Sequence, residues 1–467
     1  MTKACKAADE QRSRVTARMR GLAICAALTV LWSSAPNAVA QSGTPVNLRP
    51  SLGTQGAPET NGLPPPTSSD VATPKPAAVG SALPAGAAKS AEATGPTLTE
   101  MIGQMVMVGF LGATPGYEQV RALRADIKAG RVGSVILMDR NLARNTMLKR
   151  LVSSLHAAAE DRPKLLVGID QEGGAVQRLR RGQGVARYPS AWLTARGGNL
   201  DRARQTYESI ARDLKRRGIN FNFGPVLDLR INQRNPIIAR MNRSFGRNPE
   251  NVGVFARIFV DAHRKYGVLT SAKHFPGHGS SLGDSHEGFV DITRTWKDKE
   301  LEPYRLMRQT GHLDTVMVGH LFHRELTDGD KLPATLSKVA IAKTLRERVG
   351  FEGVVITDDL SMGAIKRNYS ADAAIERAVI AGNDILMMTS RAVRDEPIAK
   401  TIHRVLRSAV AEGRITKDRI RQSYDRVLKL KTAIKRFVPE PSLVRDGDRK
   451  IEAGPPEAPS RNPERAG

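Results

Sequence analysis

Cysteine is nearly absent from this chain: Cys5 and Cys25 are the only two, both within the first 25 of 467 residues. The rest of the sequence therefore has no disulfide framework and no thiolate metal site. Aromatic residues are scarce at 4 %, and they do not alternate with basic residues as stacking platforms for a nucleic acid would. Long apolar runs are lacking too; the run Gly21–Trp32 (GLAICAALTVLW) is short for a membrane span. Acids are outnumbered, with 47 Asp and Glu against 72 Lys and Arg, a formal charge of +25. The basic residues are spread along the chain instead of forming one block, which argues against a nucleic-acid groove. Attraction to an anionic cell envelope stays open.

The two ends differ from the middle. Lys3, Lys6, Arg12, Arg14, Arg18 and Arg20 precede the apolar run, and Ala38-Val39-Ala40 follows it before Gln41. A basic region, a short apolar region and an A-x-A site form a secretory signal pattern, so residues 1–40 are expected to be removed on export to the periplasm or beyond. Six positive and two negative charges would leave with them, taking the chain from +25 to +21. Two alternatives stay open: translation starting at Met19, with a cytoplasmic product if there is no export, and retention of the segment as a membrane anchor. Residues 41–95 are rich in Pro, Ala, Gly, Ser and Thr without apolar periodicity, the composition of a flexible linker. A low-complexity tail is expected over 439–467.

Residues 96–438 have the length of one barrel domain. Eight short β-type runs recur in them: Met105–Gly109, Ser134–Met138, Leu165–Ile169, Ile219–Phe223, Val268–Ala272, Thr315–Gly319, Val354–Thr357 and Asp384–Met388. Amphipathic helical stretches separate them. Asn248-Pro249-Glu250 reads as a capped helix start. Ser337 reads as the cap of another, with Ile341, Leu345 and Val349 on one face. Alternating strands and helices imply a parallel sheet, and eight units suggest closure into a (β/α)8 TIM-type barrel; an open doubly wound sheet is the alternative. Polar residues follow several strands: Asp170, Lys273 with His274, His320, and Asp358 with Asp359. In a barrel these strand ends form the active-site face.

Four segments carry the chemistry. Lys273–His286 (KHFPGHGSSLGDSH) packs three His, one Lys and one Asp into fourteen residues, and Gly277, Gly279 and Gly283 suggest a mobile loop. Val354–Met362 (VVITDDLSM) is a buried strand ending in paired acids. Val167–Arg178 (VGIDQEGGAVQR) and Asn235–Gly246 (NPIIARMNRSFG) complete the set. Over about residues 97–437 these segments resemble glycoside hydrolase family 3, and within it the bacterial β-N-acetylglucosaminidases of peptidoglycan recycling. The run NFNFGPVLDL and the closing helix DRIRQSYDRVLKLK are similar as well.

The resemblance implies hydrolysis of terminal non-reducing β-linked N-acetylglucosamine by a retaining mechanism. It implies Asp358 as nucleophile, His286 as general acid/base and Asp284 as the partner orienting that histidine. Asp170, Arg178, Arg243, Lys273 and His274 would hold the sugar. A retaining enzyme needs a carboxylate to form a glycosyl-enzyme, and a second group that protonates the leaving oxygen and later deprotonates water. A histidine paired with an acid can do the second task. Departures from the family pattern are Ala175 where Arg often follows QEGG, Val290 where Pro is frequent, and SSLG in the middle of the loop. No cofactor is implied, and a monomer is expected.

Blander readings stand beside these. His274, His278, His286 and Asp284 could form a zinc site, although their spacing matches no zinc signature and Lys273 opposes a cation. His278 reads as a loop-stabilising hydrogen-bonder and Asp359 as a structural acid bonding backbone N–H groups. Glu172 is balanced between substrate ligand and turn-stabilising carboxylate. His320 and His323 read as lining the pocket or its rim, and Arg178 could belong to a solvated basic face, QRLRR. Two competing functions remain: a phosphorylase on the same scaffold, since a neutral His would not repel phosphate, and a wall-binding module without turnover.

Overall fold

Thr97 and Glu100 start the folded chain. The Thr97 hydroxyl accepts from the Glu100 N–H (3.2 Å), and the Glu100 carboxylate accepts from the Thr97 N–H (3.0 Å), a reciprocal cap on helix α1 (Leu98–Gln104). The computed structural model describes residues 95–434, except 328–330, 391, 394 and 395. The expected leader, most of the expected linker, and the tail lie outside the described residues.

Eight strands follow, each feeding a helical segment: β1 (Val106–Val108) and α2 (Glu118–Lys128); β2 (Ser134–Ile136) and α3 (Asn145–Ala157); β3 (Leu166–Ile169) and α4 (Leu200–Lys215); β4 (Phe221–Asn222) and α5 (Pro249–Lys265); β5 (Leu269–Phe275) and α6 (Glu302–Gln309). Next come β6 (Thr315–Val318) with the helical segment Val339–Arg348, β7 (Val354–Thr357) with α7 (Ala371–Ala381), and β8 (Leu386–Met388) with α8 (Ile398–Ala411) and α9 (Lys417–Ala433). Neighbours pair in sequence order from β1 to β7, and β8 pairs with β1, all in parallel. The Thr357 N–H donates to Ile385 O and the Ile385 N–H to Val355 O, both at 3.0 Å, which joins β7 to the approach of β8. The sheet therefore curls into a (β/α)8 barrel, and the open doubly wound alternative is set aside. Seven of the eight expected β runs contain one of these strands, and the fifth, Val268–Ala272, covers the first part of β5, which runs on to Phe275.

Alternation along the strands builds two layers of core. Met107, Ile136, Leu166, Phe221, Met317, Ile356 and Met387 point into the barrel with Phe223, and Val427 and Leu430 of α9 join that cluster. Val106, Val108, Val135, Val167 and Val355 point outward against the helices. This is the period-two signature of a parallel barrel strand covered on both faces. Gly168 permits a close approach in this layer: a Cβ there would lie 2.8 Å from the Phe223 ring. Burying an aliphatic or aromatic side chain contributes about 1.5–3 kcal/mol, so this layer is a main source of stability.

The caps behave as chemistry demands, with one difference. The Asn248 side chain accepts from the Asn251 N–H and Pro249 opens α5 as expected. The Ser337 hydroxyl accepts from the Ala340 N–H (3.1 Å), and Ile341, Leu345 and Val349 are buried. The helix they belong to nevertheless starts at Val339 and has wide π-type turns. Its buried positions were legible as one face; its winding was not, because spacing of three to four residues suits either hydrogen-bond pattern over so short a run.

Candidate active site

Strand β5 is buried along all seven residues and delivers Lys273 and His274 to the C-terminal mouth of the barrel. The Lys273 ammonium lies 2.8 Å from Asp170 Oδ1, just after β3, and 2.7 Å from Glu172 Oε1. Glu172 in turn accepts two hydrogen bonds from Arg243, at 2.9 and 2.8 Å. Arg178 reaches back to Asp139 (3.1 Å) and lies 3.8 Å from Asp170. Glu172, Lys273 and Arg243 are buried. Burial alone would raise the Glu172 carboxyl, but the Arg243 and Lys273 cations overcome it and hold it down to about 2. The same pairing, against burial, keeps Lys273 above the usual lysine range. Buried charge is tolerated here because each ion has a close partner. Glu172 therefore holds the two cations through its ion pairs, a role outside both readings of it as substrate ligand or turn-stabilising carboxylate.

A second acid anchors the loop after β5. The His274 Nδ1–H donates to Asp228 Oδ2 (2.7 Å), while Asp228 Oδ1 accepts from the backbone N–H groups of His274 (3.2 Å) and His278 (2.7 Å). Burial pushes the Asp228 carboxyl up, and His274 and His278 pull it below its ordinary value. With Nδ1 held by Asp228, His274 turns Nε2 toward Arg243 Nη2, 3.5 Å away. Asp228 was missed in the sequence, although it had a signal: an acid inside the apolar run Phe223–Leu229 needs a partner.

The glycine-rich loop divides in two. Its first half is packed rather than mobile: His274, His278, Ser280 and Ser281 are buried. Glu300 accepts from the Gly279 N–H (3.0 Å) and the Ser280 hydroxyl (2.5 Å). A Cβ on Gly279 would sit 1.8 Å from Leu229 O, and one on Gly277 2.7 Å from Glu300 Cβ. These glycines permit close approach, so the expectation of general loop mobility does not hold for this half. His278 bonds Ser281 (2.6 Å) and Ser285 (3.3 Å), and burial pushes it down to about 4, so it is a neutral loop stabiliser as expected. The second half is more open: Leu282 and His286 are exposed, while Ser285 is buried.

That outer half carries the Asp284–His286 pair. The His286 Nδ1–H donates to Asp284 Oδ1 (2.7 Å), which also accepts the His286 backbone N–H (2.8 Å). The His286 side chain is 62 % exposed and that of Asp284 20 %. With Nδ1 so engaged, Nε2 is the nitrogen free to exchange protons. The loop rests on the turn after β7: the Gly363 N–H donates to His286 O (3.2 Å) and the Ala364 N–H to Ser285 O (3.3 Å). A Cβ on Gly363 would meet His286 O at 2.5 Å. Gly363 thus ties the histidine loop to the strand end bearing Asp358.

Asp358 emerges from β7. One of its oxygens accepts the Asp359 N–H (2.8 Å), and the other has no donor among the described residues. Burial raises its carboxyl, but the facing His320, His274 and His286, with that backbone bond, bring it below the ordinary value. Asp359 behaves as the structural acid expected, accepting from the Ser361 (2.9 Å) and Thr389 (3.0 Å) N–H groups and the Thr389 hydroxyl.

A cavity of about 440 Å³ gathers these groups, within the range of about 300–1,000 Å³ common for ligand pockets. Asp170, Arg178, Arg243, Lys273, His274, Asp284, His286 and Asp358 all line it, over a floor that includes Ile136, Phe223, Met317 and Met387. His320 and His323 do not. His320 is buried between the Thr335 hydroxyl (2.7 Å) and Asp359 O (2.9 Å), and His323 packs edge-on against Trp296. The QRLRR segment splits, with Arg178 and the exposed Arg180 lining the cavity and Arg181 exposed outside it. The loop histidines have separate partners, and among the described residues no three His, Cys, Asp or Glu are arranged to hold a metal ion. Another cleft, of about 480 Å³ around His156, Lys164 and Asn220, opens at the N-terminal strand ends, away from this chemistry.

Several known proteins are similar to this chain. A β-hexosaminidase of Tolumonas auensis is 36 % identical over 263 residues, 55 % of this chain and 75 % of that protein. A β-hexosaminidase of Vibrio cholerae is 33 % identical over 59 % of this chain and 81 % of its own length. Among solved structures, a glycoside hydrolase family 3 β-N-acetylglucosaminidase from Paenibacillus sp. superposes with a TM-score of 0.67 at 34 % identity, covering 76 % of this chain and 66 % of that one. A β-N-acetylhexosaminidase from Beutenbergia cavernae gives 0.65 at 29 % identity, covering 72 % and 99 %. The profile of the glycosyl hydrolase family 3 N-terminal domain matches residues 97–430, and with a barrel of that family around the cavity, the chain belongs to glycosyl hydrolase family 3 as a glycoside hydrolase of the β-N-acetylhexosaminidase type.

Proposed function

We propose that this enzyme releases terminal non-reducing β-linked N-acetylglucosamine from peptidoglycan-derived oligosaccharides, with retention of configuration at the anomeric carbon. The observation that carries the reading is the meeting of Asp358 and the Asp284–His286 pair at one cavity with the ion-paired cluster Asp170, Lys273 and Arg243. The free oxygen of Asp358 attacks the anomeric carbon. Protonated His286 gives its Nε2 proton to the glycosidic oxygen, and the leaving sugar departs as an alcohol. His286 then takes a proton from water, whose oxygen attacks the anomeric carbon and breaks the bond to Asp358. Asp284 holds the imidazole through Nδ1 in both steps.

The same reading includes export. The basic stretch, apolar run and Ala38-Val39-Ala40 motif favour cleavage before Gln41, and a mature N-terminus at Gln41 in the extracytoplasmic fraction would bear it out. The deciding test for the reaction is mass spectrometry of products from purified peptidoglycan fragments, with and without phosphate. Free N-acetylglucosamine in both conditions is expected. A sugar phosphate formed only with phosphate would replace hydrolysis with phosphorolysis, a reading favoured by a histidine rather than a carboxylate at the acid/base position.

A further inference from the structure

Beside the catalytic cavity lies a second cleft of about 580 Å³, lined by Gly174, Gln177, Arg180, Arg181, Val185 and Arg187. Gln177 and Arg180 also line the catalytic cavity, so the two spaces share a wall. Ala175, whose side chain is a single methyl, lines the catalytic cavity from the same turn.

The cleft is a built feature. The Gln177 amide donates to Leu179 O (2.8 Å) and Ala186 O (2.6 Å), and its oxygen accepts the Tyr188 N–H (2.9 Å). This side chain clamps the limb after Val176 to the limb returning at 186–188. The Arg180 Nε–H donates to Gln177 O (3.0 Å), and the Arg180 backbone N–H donates to the Gln183 side chain (3.0 Å). Gly184, at φ +70°, reverses the chain, and Val185 is buried beneath the turn. Arg180 and Arg181 on the outgoing limb and Arg187 on the returning one therefore meet across one concavity.

Their charge is unopposed. Half of the lining residues are arginines, and none is an acid. Neighbouring arginines are paired, Arg178 with Asp139 and Arg217 with Asp213. Among the described residues no acid pairs with Arg180, Arg181 or Arg187, and all three are exposed. Three guanidinium groups around one hollow repel each other and raise the local concentration of anions. Their planar forks match carboxylates in particular.

We infer that this arginine cleft is a subsite for a carboxylate carried by the leaving group. The inference rests on the exo-hydrolase reading above: an exo-acting enzyme holds the terminal sugar in the catalytic cavity and leaves the aglycone to run over its rim, and Arg180 stands on the wall that this cavity shares with the cleft of Arg181 and Arg187.

The test compares two substrates with the same non-reducing sugar, N,N′-diacetylchitobiose and its aldonic acid, whose leaving group bears a carboxylate. Wild type is expected to favour the acid in kcat/KM. The acid-to-neutral ratio should fall about tenfold in Arg181→Ala/Arg187→Ala, the size of two charge-assisted contacts discounted for exposure. It should fall below one in Arg181→Glu/Arg187→Glu, and 0.5 M salt should shrink it in wild type by screening, at a Debye length of about 4 Å. Turnover of both disaccharides at a ratio that variants and salt leave unmoved would overturn the subsite alone. Turnover of neither by the wild type would overturn the exo-hydrolase reading itself.

Discussion

Two aspartates at strand ends, on opposite faces of the barrel, illustrate how partners decide what a carboxylate does. Asp384 stands just before β8. It faces Arg346 (3.1 Å), Arg426 (3.2 Å) and Arg419 (3.5 Å), and accepts from the Ser423 hydroxyl (2.7 Å) and the Val355 N–H (3.0 Å). Asp358, just after β7, has one backbone N–H on one oxygen and an unbonded second oxygen in a cavity. The first carboxylate is saturated and holds α9 and the Val339–Arg348 segment to the sheet. The second is ionised but under-bonded, the state a nucleophile needs. The largest expected effect follows from this difference. Asp358→Asn should lower kcat on an aryl β-N-acetylglucosaminide by about 10³-fold or more, with little change in Tm, because the amide keeps the shape but not the nucleophile. Near wild-type turnover would remove Asp358 from that role.

The matching change at the other end should do the reverse. Asp384→Asn leaves three arginines facing an amide, and breaking a buried ion pair costs about 3–5 kcal/mol. Arg426 is a third exposed, so a loss near about 3 kcal/mol is expected in urea unfolding, at the low end of that range. The folded fraction should keep its kcat. If Asp384→Asn lowered kcat at unchanged stability, the contrast between a structural and a reactive aspartate would fail.

The eight strands were legible because barrel strands are short, apolar and regularly spaced, and all eight proposed site residues do line one cavity. What escaped was the support beneath them. Asp228, Glu172 and Glu300 make their contacts across 46, 71 and 20 residues of sequence, and no local pattern encodes such pairs. The glycines misled in a specific way. Gly277 and Gly279 read as flexible, but each sits where a Cβ would strike a neighbour, and sequence alone does not distinguish permissive backbone from close packing.

Gly363 gives the next effect, because it couples the strand end of Asp358 to the loop of His286. Gly363→Ala places a methyl 2.5 Å from His286 O, which must move the loop by a substantial fraction of an ångström. Misplacement on that scale can cost up to about 10²-fold in rate, so kcat/KM is expected to drop between about tenfold and a hundredfold. The Asp284–His286 hydrogen bond should survive the shift. If the contact only stabilised the fold, Tm would fall and kcat/KM would not.

The smallest effect tests the barrel floor, where a buried cation lacks the acids that Lys273 has at the mouth. The Lys431 ammonium donates to Gln104 Oε1 (2.6 Å) and Gly133 O (2.7 Å), and burial pushes it down to about 7. An unfolded lysine titrates near about 10.4. Between these values the unfolded chain holds a proton that the folded chain lacks, so this group makes stability rise with pH from about 7 to about 10. Glu300 acts in the opposite sense over a lower range: burial raises it to about 8, so the folded state keeps a proton that the unfolded state releases, and stability falls until that pH is passed. Comparing wild type with Lys431→Met cancels the Glu300 contribution, because the two sites have separate partners. Urea midpoints at pH 7, 8 and 9 should climb more steeply for wild type than for Lys431→Met. Parallel curves would mean that Lys431 stays charged on the two carbonyl acceptors, and that a cation at the floor needs no acid to be held there.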